Sequence, residues 1–437
     1  MTVGEYAGVP LQNPGDTWRN GAVFLLRKPA GASESVALDG WVTSVVRGAK
    51  VAVTCGPTTA ASRDETFAEA LNAANRALDY MSVRGQAHCV ISDAPDDSLV
   101  WWPDASVGGV VMRCRAVQSY GMTVSATGVV RDADGSIRPS PPPPTPLADD
   151  VFRFVRICRT SDDLYDAYRN LFLGFECLLS DIRPRRQVPI PQRRCSWWWP
   201  TRPHNSATKW ESENDWFMDA LDQAHQLVPL DRLTPPDVMN HKKWINRWMY
   251  SAERSALMHA KRGQNYLLPH DASSRAELTE SLGRLWEYMM NLIEAHFDVR
   301  GRRGSLSRHA VEKAATSVLS QIALVVSDDN SEQPVNPEAE NVISPDATVV
   351  ELQSSKPVVD PDDPELWTML AYREAADLAG LAAIRRFGQT RPDGSGRCDV
   401  LSEFVGPLIL GSTVVRLEML YGLRHINPTG PPRVFSS

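Results

Sequence analysis

The chain has 437 residues, 43% of them hydrophobic and 23% charged, the balance of an ordinary globular protein and not of a disordered one. At roughly 100 to 200 residues per domain, this length calls for two or three separate cores. Asp and Glu number 53 against 46 Lys and Arg, a net charge of -7, which excludes a general nucleic-acid coat and confines any phosphate contact to a local basic patch.

The first ten residues contain Glu5 and no basic residue ahead of an apolar run, so they lack the layout of a signal peptide. The longest weakly polar stretch, 405–415, is far short of the roughly 20 residues a membrane helix needs. A cytoplasmic location with no membrane contact is therefore expected. The seven cysteines are scattered and form no CxxC pair, which argues against disulfide staples and a thiolate zinc site. Cys177, inside the apolar run 175–179, is expected to be a buried thiol acting as a small hydrophobe.

Residues 1–138 are expected to form an α+β domain. The runs 22–26, 42–46, 50–54 and 109–117 are rich in β-branched residues and bounded by Gly, Pro or Asp, as strands are. Between them, 64–83 carries Phe67, Leu71, Ala74 and Leu78 at helical spacing, with Ser62 as N-cap and Asp64 and Glu65 suited to the positive helix start. A Pro-rich linker, 139–146, follows, because four consecutive prolines continue neither helix nor sheet.

The pattern then changes. Apolar residues recur every three or four positions in 164–179, 216–227, 244–258 and 278–297, so the expected fold class has an all-α bundle over 147–326 at its centre. Ser161, with Asp162 and Asp163 after it, is a suitable start for the first of these helices. Residues 327–363 mix Asp, Glu, Pro, Asn and Ser around one strand-like island, 348–352, and read as a mobile linker. The C-terminal segment, 364–437, reads as α+β of undecided class, helical over 366–384 and strand-like over 408–420.

Two constellations carry chemistry. Arg254-Ser255-Ala256-Leu257-Met258-His259 sets a guanidinium five residues before an imidazole on the third of the central helices. Arg303 and His309 have a similar spacing, but Gly301, Gly304 and Ser305 interrupt any helix there. The second constellation is the segment 183–202, which gathers Arg183, Arg185, Arg186, Arg193, Arg194 and Arg202 around Trp197, Trp198 and Trp199 with no acidic residue among them. Cations can hold phosphates there while indole faces stack on unpaired bases. Three tryptophans can equally fasten a long loop onto the helices, with the arginines in solvent. Lys261 and Arg262 would extend the same basic surface.

The Arg254–His259 pattern resembles the Arg, four to six residues, His signature of the HEPN family, and the segment 164–179, with Tyr168, Phe172, Phe175 and Glu176, is similar to the early core helix of such domains. The resemblance spans at most 147–326. It implies a helical bundle that pairs into a homodimer, an RNA partner, and a cut that needs no metal and no cofactor, as in toxin or antiviral defence systems. In that chemistry the 2′-hydroxyl attacks the neighbouring phosphorus, a histidine moves the proton and an arginine holds the added charge. Many active members carry Asn, Asp or His after the arginine, whereas this chain has Ser255, whose hydroxyl is polar but a poor base. His259 also continues the stripe Ile245, Met249, Ala252 and Ala256, as a core or helix-end imidazole would, and Arg254 is equally suited to pairing with Glu176 between two helices. Two other readings stand beside ribonuclease: a non-catalytic helical binding module, and an assembly factor of a metabolic pathway, given a broader similarity to methylamine-utilisation proteins of the J type.

Overall fold

A computed structural model describes residues 2–12, 20–57, 62–92, 98–120, 147–161, 163–189, 208–253, 272–298, 308–331, 341–360, 365–391 and 394–425. The backbone divides into a sheet-rich unit, Met1–Ala126 with Ser305–Pro428 and Phe435–Ser437, and a helical unit, Thr127–Gly304 with Thr429–Val434.

The chain begins with β1 (Gly4–Tyr6), β2 (Val9–Pro10), β3 (Gly21–Leu25), β4 (Glu34–Leu38), β5 (Trp41–Val45) and β6 (Val51–Cys55). Helix α1 (Arg63–Val83) follows, then β7 (Leu99–Asp104) and β8 (Gly109–Tyr120). Ser62 caps α1 by accepting a hydrogen bond from the Glu65 amide at 3.3 Å, and Asp64 and Glu65 sit in its positive first turn. The helix buries Ala70, Leu71, Ala74, Leu78 and Met81 and packs on β3 to β7. Phe67 of α1 meets Phe24 of β3, with ring centroids 5.6 Å apart.

The helical unit contains α2 (Asp150–Arg159), α3 (Leu164–Ile182), a short hairpin of β9 (Gln187–Pro189) and β10 (Thr208–Trp210), and α4 (Glu213–Leu227). A 3-10 turn, Leu230–Leu233, then α5 (His241–Ile245), a π helix, Asn246–Glu253, and α6 (Ala272–Phe297) complete it. The cap of α3 is Asp163, whose carboxylate accepts from the Tyr165 and Asp166 amides. Ser161, expected as the cap, instead donates back to the Ile157 carbonyl of α2 at 2.8 Å. Helix α3 comes close to α2 at Gly174, where an added Cβ would lie 2.9 Å from Phe154 Cβ.

The chain then returns to the sheet-rich unit through α7 (Arg308–Leu319), β11 (Ala323–Ser327), β12 (Val349–Glu351), β13 (Gln353–Ser354) and β14 (Val358–Val359). The last strands are β15 (Leu366–Glu374), β16 (Ile384–Thr390), β17 (Cys398–Leu410) and β18 (Val414–His425). One sheet has six strands in the order β12-β11-β16-β17-β1-β2. The other has ten, in the order β13-β15-β18-β8-β7-β3-β6-β5-β4, with β14 also on β15. Side chains from both sheets share one core that includes Tyr6, Val23, Trp101, Met112, Leu324, Phe387, Leu417 and Met419.

These pairings correct the expected fold class. The chain is not organised around a central all-helical bundle: among the described residues strand makes up about 33%, and the largest sheet has ten strands. The N- and C-terminal segments, expected as separate α+β pieces, share both sheets. β8 runs parallel to β18 from Val110↔Val414 to Tyr120↔His425, and β1 pairs with β17 from Gly4↔Leu410 to Tyr6↔Leu408. Such partners lie some 300 positions apart for β8 and β18 and some 400 for β1 and β17, beyond the reach of any local periodicity; the Arg113–Glu418 ion pair across β8 and β18 spans 305. Residues 366–384, expected to be helical, form β15, a 3-10 turn at Ala375–Leu378 and the start of β16. The run Leu366 to Met369 is buried throughout, so its apolar residues suit either period, and pairing with β18 along the whole strand decides for β.

Candidate functional site

The described part of the helical unit is held by aromatic contacts between its helices. Apolar positions on α3 bury Tyr168, Leu171, Phe172, Phe175, Leu178 and Leu179. Phe175 meets Phe217 of α4 and Tyr288 of α6 edge-on, at 6.4 and 6.0 Å between centroids. Phe217 stacks on Tyr250 of the π helix at 4.3 Å. The Tyr288 hydroxyl donates to the Val228 carbonyl at 3.1 Å, and burial pushes its pKa up.

Where α3 ends, Arg183 turns back into the fold. Its guanidinium binds both Glu211 carboxylate oxygens, one of them at 2.8 Å, and reaches Asp219 of α4 at 2.9 Å. The Trp216 indole N–H donates to the Arg183 carbonyl at 2.8 Å, and the Arg186 amide donates to Glu211 at 2.7 Å. Arg183 and Glu211 are only 7% and 8% exposed. The Arg183 hydrogen bond holds the Glu211 carboxyl below its ordinary pKa, and Glu211 raises that of Arg183 in turn. This clamp closes the base of the β9–β10 hairpin, where Gln187 pairs with Trp210 and Pro189 with Thr208. Residues 190–207 join the two strands.

The approach to Arg254 is also specific. Asn240 caps α5 by accepting from the Lys243 amide at 3.0 Å, and the His241 ring bonds the Thr234 hydroxyl at 2.6 Å. From Asn246 the helix widens to π winding and stays so to Glu253. The Asn246 side chain donates to Asn214 of α4 at 3.0 Å. Ile245, Met249 and Tyr250 are buried, but Ala252 faces solvent. The expected stripe Ile245, Met249, Ala252, Ala256 therefore breaks at its third member, because a π turn does not advance by 100° per residue.

Of the residues expected to form the site, Arg254, Ser255, His259, Lys261 and Arg262 lie outside the described residues, as do Arg193, Arg194, Trp197 and Trp198. Glu176 is described: it is half-buried on α3, and its carbonyl accepts from the Ser180 hydroxyl at 2.9 Å. Arg183, counted with the basic segment in the sequence, belongs instead to the buried clamp. Its acid, Glu211, stands nine residues beyond Arg202, outside the stretch free of acidic residues. Cys177 is half-buried, and burial raises its pKa.

Elsewhere, a cavity of about 130 Å³ between the two sheets of the sheet-rich unit is lined in part by Tyr6, Cys114, Phe387, Phe404 and Met419. Burial pushes the Cys114 thiol up to about 12, which makes it an uncharged part of that lining and not a nucleophile. Among the described residues no group of three or more His, Cys, Asp and Glu is placed to hold a metal ion, and no helix is long and apolar enough to cross a membrane. Comparison with protein-family models, with curated proteins and with solved structures finds no match.

Proposed function

We propose that the helical unit is an RNA-binding module that cuts RNA without a metal ion, through an HEPN-type site made of Arg254, Ser255 and His259. What supports this reading most directly is the π helix Asn246–Glu253, whose last residue immediately precedes Arg254 in the sequence. π winding gives up the ordinary hydrogen-bond register of a helix and recurs at functional sites.

In this mechanism the RNA 2′-oxygen attacks the adjacent phosphorus and the bond from phosphorus to the 5′-oxygen breaks. His259 moves the proton between the attacking and leaving oxygens, since an imidazole titrates near neutral pH. Arg254 stabilises the charge gathering on the phosphoryl oxygens, with Ser255 as a further hydrogen-bonding group. Arg193, Arg194, Lys261 and Arg262 neutralise neighbouring phosphates, and Trp197 and Trp198 stack on bases. Glu176 is the supporting carboxylate for Arg254. The working form is a cytoplasmic homodimer joined through the helical unit.

RNA should be cut by purified protein in EDTA, and His259→Ala should abolish the cut; intact RNA under these conditions would end the enzyme reading. Ser255 favours one other reading, a module that binds without cutting. Trp198→Ala or Arg194→Ala would then lower RNA affinity while His259→Ala leaves it unchanged.

A further inference from the structure

The two sheets of the sheet-rich unit leave between them a cavity of about 130 Å³, and its walls come from both. Tyr6 of β1, Phe387 of β16 and Phe404 of β17 supply three rings from the six-stranded sheet. Leu99 of β7, Ala116 of β8 and Met419 of β18 supply aliphatic and thioether surface from the ten-stranded one. All six belong to the shared core or pack against it, so their side chains face between the sheets. Tyr6 and Phe404 meet edge-on there, with centroids 6.2 Å apart.

The polar residues at its edge are mostly turned outward. Ser98 and Arg115 stand one position from Leu99 and Cys114, so strand alternation puts their side chains on the opposite face of the sheet. There Arg63 of α1 donates to the Ser98 hydroxyl at 3.2 Å, and the Arg115 guanidinium lies 4.0 Å from Asp360. Glu403 pairs in register with Arg386 and lies 3.6 Å from its guanidinium, on the far face of β16 from Phe387. Ser402 is the exception: it pairs with Phe387, which puts its hydroxyl on the inner face. The Tyr6 hydroxyl accepts from the Val405 amide at 3.2 Å. An apolar cavity of about 150 Å³ takes up a benzene ring. Aromatic edges and a thioether favour a ring over a chain of equal volume, and a charged group would lose its water with no opposite charge on the inner face among the described residues. We propose that this cavity binds a small uncharged aromatic molecule of about the size of phenol, its ring against Phe387, Phe404 and Met419 and its one polar group at Ser402. This binding does not depend on the RNA reading of the helical unit.

The test is phenol added to full-length protein with isotope-labelled methionine methyl groups, followed by NMR. The Met419 methyl resonance, identified by its loss in Met419→Leu, should shift saturably, while that of Met239, 96% exposed in the helical unit, should not move. At about ten times the phenol Kd the melting temperature should rise by about 3 to 6 °C. Benzoate, similar in size but charged, should give neither effect. Ala116→Leu, which builds side chain into the cavity, should abolish both; if that variant does not fold, the Met419 methyl of the parent decides. An unmoved Met419 methyl, a phenol response that persists in folded Ala116→Leu, or an equal response to benzoate overturns the proposal.

Discussion

Arg183 and Glu211 form a two-pronged, buried ion pair across the base of the β9–β10 hairpin. Each side chain would be costly to bury without the other. Arg183→Ala should therefore do more than free a loop: it leaves the Glu211 carboxylate facing a site built for a cation. The variant should unfold about 5 °C or more below the parent, with faster amide exchange in β9, β10 and the first turn of α4. An unchanged melting temperature would show that the clamp is not a support of the helical unit.

The sheet-rich unit has its own buried carboxylate. Burial pushes Asp329 up, but the Ser344 and Ser331 amides and the nearby Arg386 outweigh it and hold its pKa below the ordinary value. Glu211 is also held low. A carboxyl depressed in the folded chain contributes stability that is present above its unfolded pKa, near pH 4, and lost as pH falls through the folded value. Through these two carboxyls the urea midpoint should fall as the pH drops below about 4, in addition to a fall below about pH 6.5 from His425, whose pKa burial lowers. Arg183→Ala should flatten the fall due to the carboxyls, whereas parallel curves for variant and parent would contradict the account.

The parallel β8–β18 contact ties the start of the chain to its end. Removing everything from Val414 onward would delete Val414, Leu417, Met419, Tyr421 and Leu423 from the shared core. At about 1.5–3 kcal/mol each, the four without a ring alone contribute about 6–12 kcal/mol, comparable with the whole net stability of a domain, about 5–15 kcal/mol. A chain ending at Thr413 should lose protection of the β8 amides and be cut there by protease at once. If β8 stays protected, the N-terminal half is an independent domain after all.

Local signals were readable where the chain satisfies itself locally. Ser62, the two acids after it and the spacing of Leu71, Ala74 and Leu78 mark α1, and α3, α4 and α6 follow from their apolar stripes. α2 is missed although its apolar residues alternate with three arginines at helical spacing and Asp149 caps it by accepting from the Val151 amide; its ten residues lie just after the Pro-rich segment, ahead of the longer stripes. β15 was misread because a run buried throughout carries no period of its own. The π winding was hidden for another reason: it changes the register of the helix without changing its composition, so Ala252 turns outward on a stripe that predicts it inside. At the candidate site, the Arg and Trp segment stands out as a compositional block, but the assignment of Arg183 to the fold depends on Glu211 and Asp219, which lie outside that block.

The most direct test of the proposed chemistry is the identity of the ends left on RNA. Full-length protein in EDTA should yield fragments with a 2′,3′-cyclic phosphate and a free 5′-hydroxyl, because the attacking oxygen belongs to the RNA itself, and His259→Ala or Arg254→Ala should yield none. Fragments with 3′-hydroxyl and 5′-phosphate ends, or RNA left whole by folded protein, would contradict the account.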